Sequence, residues 1–152
     1  ERGEIMPLKN YASTSSLSNI FNAIDKVLVS HGAKQIVKDY DDNGKISSIS
    51  FIIQTAKGNL SIRLPARYDQ VERIFEEQGI RYKPEQPYRT AWATIRDWID
   101  VQMALIDWEM VKFEEVFLPY AVVKSGKTYF EVLENRDFQL ESGAEEGQVI
   151  EE

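Results

Sequence analysis

Lys34-Gln-Ile-Val-Lys-Asp-Tyr40, then Asp41-Asp-Asn-Gly-Lys45, then Ile46-Ser-Ser-Ile-Ser-Phe-Ile-Ile-Gln54 follow one another without a break. The two outer runs are rich in residues that suit strands, and the Asn43-Gly44 pair between them supplies the positive φ angles of a hairpin turn. Ile49, Phe51 and Ile53 alternate with Ser48, Ser50 and Ile52, so one sheet face is apolar and the other mixed. The apolar face demands a helical cover. Working outward, Ala56-Lys57-Gly58-Asn59 makes a second turn into Leu60, Ile62 and Leu64, which alternate with Ser61 and Arg63 until Pro65 ends the strand. The reading is a three-stranded antiparallel meander.

Helical periodicity lies on both sides of it. Thr14, Ser15 and Ser16 offer capping oxygens before Leu17, Ile20, Phe21, Ile24, Val27 and Leu28, whose spacing marks one helix face, and Gly32 stops that helix. Tyr68, Val71, Ile74 and Phe75 predict a short amphipathic helix ending near Gly79. From Tyr88 to about Phe117 there is no Gly or Pro, and Trp92, Trp98 and Trp108 all fall inside. This predicts one principal helix, with room for a single break, packing on the sheet and on the first helix. Pro119 interrupts, Ser125-Gly126 turns, and Thr128–Phe138 reads as a last short helix in preference to a strand. The fold class is α+β: an N-terminal helix, a three-stranded antiparallel meander, and a mostly helical C-terminal half with one long Trp-rich helix. The expected organisation is a flexible N-terminus (1–10), a single domain (11–140) and a disordered acidic tail (141–152), the last too polar to offset its ordering entropy.

A chain of 152 residues buries roughly two-thirds of its unfolded surface around one core. With no cysteine there is no disulfide framework, no thiolate metal site and no cysteine nucleophile, which fits a reducing cytoplasm. No apolar run approaches the ~18 residues that span a bilayer, and Glu1-Arg2-Gly3-Glu4-Ile5 lacks the pattern of a signal peptide, so a cytoplasmic protein without a membrane partner is expected. Met6-Pro7 reads as a natural start, and the five residues before it carry no assigned function. The net charge of −7 is unevenly spread: residues 1–56 are balanced, residues 57–96 hold five acidic and eight basic side chains, and residues 97–152 hold fourteen acidic and four basic.

Four groups of residues bear on chemistry. Asp39, Asp41, Asn43 and Gly44 match the start of a calcium loop, but Ser50 stands where a bidentate Glu would close it and the flanks read as strands, so the hairpin turn is the preferred reading. Arg63, Arg67, Arg81, Lys83 and Arg89 lie among Tyr68, Tyr82 and Tyr88, the mixture of cations and rings that single-stranded nucleic acid requires. Asp97, Asp100 and Asp107, with Glu109, Glu114 and Glu115, form an acidic series suited to meeting a basic protein partner. A carboxylate-metal enzyme built on Asp97, Asp100 and Asp107 is the remaining alternative, although the lone histidine, His31, reads as a helix C-terminal residue. Leu118-Pro119-Tyr120 reads as core packing at a helix end, with a partner-binding knob as its alternative. Neither a nucleophile motif nor a phosphate loop is present, so no catalytic residue, cofactor or metal is expected.

Arg63-Leu64-Pro65-Ala66, Trp92 and Trp98 with Asp97, Gln102-Met103-Ala104-Leu105, and Glu115-Val116-Phe117-Leu118-Pro119-Tyr120 together resemble a group of small uncharacterised proteins of bacteria and their phages or prophages. The resemblance spans most of residues 6–135 and implies a bacterial or phage setting with no assigned activity. The combined expectation is a non-catalytic phage or mobile-element accessory protein that binds a macromolecule, foremost a protein of DNA metabolism or host defence, with single-stranded nucleic-acid binding through 63–92 as the alternative.

Overall fold

A computed structural model of the chain describes residues 8–138. At the hairpin, the Asp41 N–H donates to the Lys45 carbonyl at 2.8 Å and the Gly44 N–H to the Asp41 carbonyl at 3.0 Å. Asp41 Oδ1 accepts from the amides of Asn43 (2.9 Å) and Lys45 (3.0 Å). Gly44 sits at φ 73°, where a side chain is disfavoured. The turn joins β1 (Ala33–Tyr40) to β2 (Ile46–Thr55), and a second tight turn leads into β3 (Gly58–Pro65). The sheet order is β1-β2-β3, antiparallel throughout.

Register places Ile36, Phe51 and Ile62 in one row and Lys38, Ile49 and Leu64 in the next. Ile49, Phe51, Ile62 and Leu64 of this face are buried. The cover comes from α1 (Leu17–Ser30), whose Ile20, Ile24 and Leu28 are wholly buried, each worth about 1.5–3 kcal/mol of burial. Ser16 caps α1 by accepting from the Asn19 N–H at 3.1 Å.

The long helix α3 (Gln86–Asp107) packs against α1 and against α2 (Tyr68–Glu77). It reaches the sheet through side chains: the Ile46 N–H donates to the Tyr88 hydroxyl oxygen at 2.8 Å, and Trp92 Nε1 donates to the Ile46 carbonyl at 3.1 Å. Asn10 and Gln86 clip the preceding segment to this helix, with Asn10 Nδ2 donating to Asp97 at 3.0 Å and Gln86 Nε2 to the Ser13 carbonyl at 3.2 Å. Asn10 lies at the end of the expected flexible terminus 1–10; residues 1–7 and the expected tail 141–152 lie outside the described residues.

The run from Tyr88 to Phe117, expected as one principal helix with room for a single break, is broken once into two helices. After Asp107 the chain leaves α3 through a hydrogen-bonded cap in which the Glu109 N–H donates to the Ile106 carbonyl at 2.9 Å and the Met110 N–H to the Leu105 carbonyl at 3.0 Å. Glu109 takes the left-handed conformation at φ 58°. The chain re-enters helix as α4 (Phe113–Phe117), a 3-10 turn follows at Leu118–Tyr120, and α5 (Tyr129–Asn135) begins on a capping box between Thr128 and Glu131. Ala121 bridges to Ile62, and the Val122 N–H donates to the Ser61 carbonyl at 2.8 Å, so this segment lies along the free edge of β3. Phe117 is buried and meets Phe51 and Trp98 edge-on at 5.8 Å and 5.4 Å, joining the C-terminal half to the sheet. No helix among the described residues is long and apolar enough to cross a membrane.

Candidate functional site

The acidic series does not form one uniform stripe. Asp97 accepts from Asn10 (3.0 Å) and Arg96 (3.0 Å) and pairs with Lys9 (3.3 Å). Burial works against its charge, yet these donors outweigh it and hold the carboxyl below the usual range. Asp107 engages His31 Nε2 at 2.9 and 3.0 Å. Glu115 is exposed, and its Oε1 accepts the Lys112 N–H at 3.1 Å at the start of α4. Asp100, Glu109 and Glu114 are exposed. Among the described residues no group of three or more such side chains is placed to hold a metal ion. In the hairpin, Asp41 is taken by the turn amides and the Tyr68 hydroxyl, and Asp39 accepts from the Ser48 hydroxyl at 3.0 Å.

Beside those acids lies an apolar surface that composition alone did not reveal. Val101, Ala104 and Trp108 share one exposed side of α3, and Met110 follows in the turn. Trp108 is 80% exposed and Met110 68% exposed. Of the three tryptophans expected inside the principal helix, Trp108 therefore lies just past its end and outside the packing. Helical spacing carried the signal: sixteen residues after Trp92 is about 160° round the helix, away from the buried ring. Residues 107–115 hold four acidic side chains and one basic, so the apolar surface has an acidic border.

The basic-aromatic segment is divided by the fold into two places. Tyr68 and Tyr88 are not free to stack on bases. Tyr88 is buried with its hydroxyl on Ile46, and Tyr68 gives its hydroxyl to Asp41 and meets Tyr88 edge-on at 5.3 Å with Lys45 over its ring. Arg81, Tyr82, Lys83 and Arg89 do converge, lining a shallow groove of about 640 Å³ opposite Tyr11. Arg89 is held by Glu85 (3.3 Å) and Gln86 (3.0 Å), whereas Arg81 and Lys83 are exposed with no ion pair among the described residues. Tyr82 donates to Glu76 at 2.8 Å, which pushes its phenol up to about 12.

Arg63 and Arg67 border a separate cleft at the end of β3. There the Arg63-Leu64-Pro65 run meets the Pro119-Tyr120 turn and the Trp98 side of α3. Two adjoining hollows of about 180 and 230 Å³ share Pro65, Arg67 and Tyr120. Arg63 donates to the Gly126 carbonyl at 2.7 Å and reaches Glu131 at 3.4 Å. Glu131 is held below the usual carboxylate range, chiefly by the Thr128 N–H it accepts in the capping box. The motifs at 63–66 and 118–120 were visible in the sequence, but their meeting across more than 50 residues was not.

Comparison with protein-family models, with curated proteins and with solved structures finds no match for this chain.

Proposed function

We propose that this chain is a non-catalytic binding protein whose partner is a basic protein segment with apolar side chains, docked on Val101, Trp108 and Met110 inside the border of Asp100, Asp107, Glu109 and Glu114. The observation that carries the reading is Trp108, 80% exposed between Asp107 and Glu109. An exposed tryptophan beside a methionine is the kind of anchor that dominates interfaces, and surrounding carboxylates steer a basic partner and set its salt dependence. Asp97 is held by Asn10, Arg96 and Lys9, and Asp107 by His31, so Asp100, Glu109 and Glu114 carry most of that border's charge. The resemblance described above suggests a bacterial or phage setting and no activity; a protein of DNA metabolism or host defence is the partner we propose.

The test is titration with a synthetic helical peptide carrying leucines on one side and lysines on the other, followed by tryptophan emission. Saturable binding that weakens with salt and is lost in Trp108→Ala supports the reading. Binding indifferent to Trp108→Ala, or none at low salt, rejects it. Nuclease-treated pull-down from host lysate then identifies the natural partner.

A second reading, single-stranded nucleic-acid binding, is favoured by Arg81 and Lys83, which make no ion pair among the described residues in the Tyr11–Arg89 groove. Its affinity falls steeply with salt, so no retention of an oligonucleotide at about 50 mM salt removes it.

A further inference from the structure

We propose that the hollow between the end of β3 and the middle of α3 binds a small aromatic carboxylate, with the ring inside and the carboxylate on Arg67. The walls are Leu64, Pro65, Ile95, Trp98 and Tyr120, a mostly apolar lining with an aromatic side. Thr94, the one hydroxyl of α3 at this place, is already spent: it donates to the Thr90 carbonyl at 2.8 Å and accepts from Asn10 at 3.3 Å. What sits against Ile95, Trp98 and Pro65 is therefore apolar, the Tyr120 hydroxyl and Arg67 being the other polar groups of the lining. The space of about 230 Å³ exceeds the ~150 Å³ that suffices for benzene, leaving room for a ring and a short side arm.

Arg67 fixes the charge of that arm. It precedes α2, is exposed, makes no side-chain cap, and has no hydrogen bond or ion pair from its guanidinium among the described residues. Arg63, on the neighbouring hollow, is by contrast satisfied by Gly126 and Glu131. A guanidinium with its fork open matches a carboxylate in a two-point hydrogen bond, and an apolar floor beside it strengthens the pair. An isolated inorganic anion would meet Arg67 alone and gain nothing from the ring wall. The site is independent of the Trp108 surface.

The experiment follows the indole N–H of Trp98 by two-dimensional NMR during titration of the whole chain with phenylacetate, with acetate and inorganic phosphate as controls. A ligand of this size is expected to saturate with a Kd on the order of 1 mM. Arg67→Gln, an exposed position that leaves folding intact, weakens it at least about tenfold, while Arg81→Gln in the other groove leaves it unchanged. A parallel arm uses a short peptide ending in Phe and its amidated form. Tighter binding of the free-acid peptide, lost on amidation, assigns a polypeptide chain end as the source; tighter binding of phenylacetate assigns a free acid. No saturation by about 10 mM of either probe, an equal response to acetate or phosphate, or indifference to Arg67→Gln overturns the proposal.

Discussion

Trp92 donates its indole N–H to the Ile46 carbonyl at 3.1 Å inside the core, one turn of α3 beyond the Tyr88 hydroxyl that accepts the Ile46 N–H. Both backbone groups of the first residue of β2 thus have side-chain partners on α3. Removing either side-chain partner leaves a buried polar group without one, at about 1–3 kcal/mol. Tyr88→Phe is expected to cost about that much, and Trp92→Phe about 2–4 kcal/mol because volume is lost as well. Urea denaturation with unchanged slope measures both. Losses below about 0.5 kcal/mol would show that water replaces the partners.

His31 joins the end of α1 to the end of α3. Its Nε2 meets Asp107 at 2.9 Å while Nδ1 lies 2.8 Å from the Val27 carbonyl, so both ring nitrogens face acceptors, the arrangement of a protonated imidazole. Burial opposes that charge, but the hydrogen bonds to Asp107 and Val27 and the field of Asp107 and Asp100 outweigh it and raise the histidine above its ordinary 6.5. A raised folded value gives stability that is complete below pH 6.5 and is lost as pH rises through the folded value. Asp107 is 61% exposed, which limits the pair to about 0.5–1 kcal/mol. The melting-temperature gap between wild type and His31→Gln should be widest near pH 5.5 and shrink by pH 8.5. A gap constant with pH contradicts the assignment.

Glu109 occupies the left-handed position of the α3 cap, which glycine fills with the least strain, as Gly79 does at the end of α2. Glu109→Gly should raise stability by roughly 0.5–1 kcal/mol, the strain relieved exceeding the entropy a glycine loses on folding. Thermal melting checks the sign, and destabilisation refutes it.

The same residue explains which parts of the fold were legible. The hairpin at Asn43-Gly44, the strand alternation and the first helix each rest on local chemistry, and all three appear where the spacing puts them. The end of α3 carries no Gly or Pro; its stop is a hydrogen-bonded cap on a glutamate, so the sequence allowed one break before Phe117 without marking its place. The acids and cations were visible by type. Their partners were not, because Lys9 finds Asp97, His31 finds Asp107 and Arg63 finds Glu131 across separations that only the tertiary fold determines.

Tyr82 tests whether the groove beside Arg81 has a free aromatic. Its hydrogen bond to Glu76 pushes the phenol up to about 12. The ring also packs on Phe75 at 5.4 Å. Glu76→Gln should bring the titration of Tyr82, followed by NMR, back toward the ordinary tyrosine value near 10. If wild-type Tyr82 already titrates there, the ring is freer than its contacts imply, and the nucleic-acid reading gains a stacking surface.

Trp108 separates a binding surface from a structural residue. Trp92 is fully buried and Trp98 half-buried against Phe117 and Tyr120, whereas Trp108 stands 80% exposed. Acrylamide should therefore quench mainly Trp108, and Trp108→Phe should remove most of the quenchable emission. The same substitution should change unfolding stability by less than about 0.5 kcal/mol, since an exposed ring contributes little packing. A larger loss would mean that the ring is packed in solution, and the Trp108 docking surface would lose its anchor. Near-complete loss of quenching with unchanged stability leaves a large apolar side chain whose retention the fold does not require.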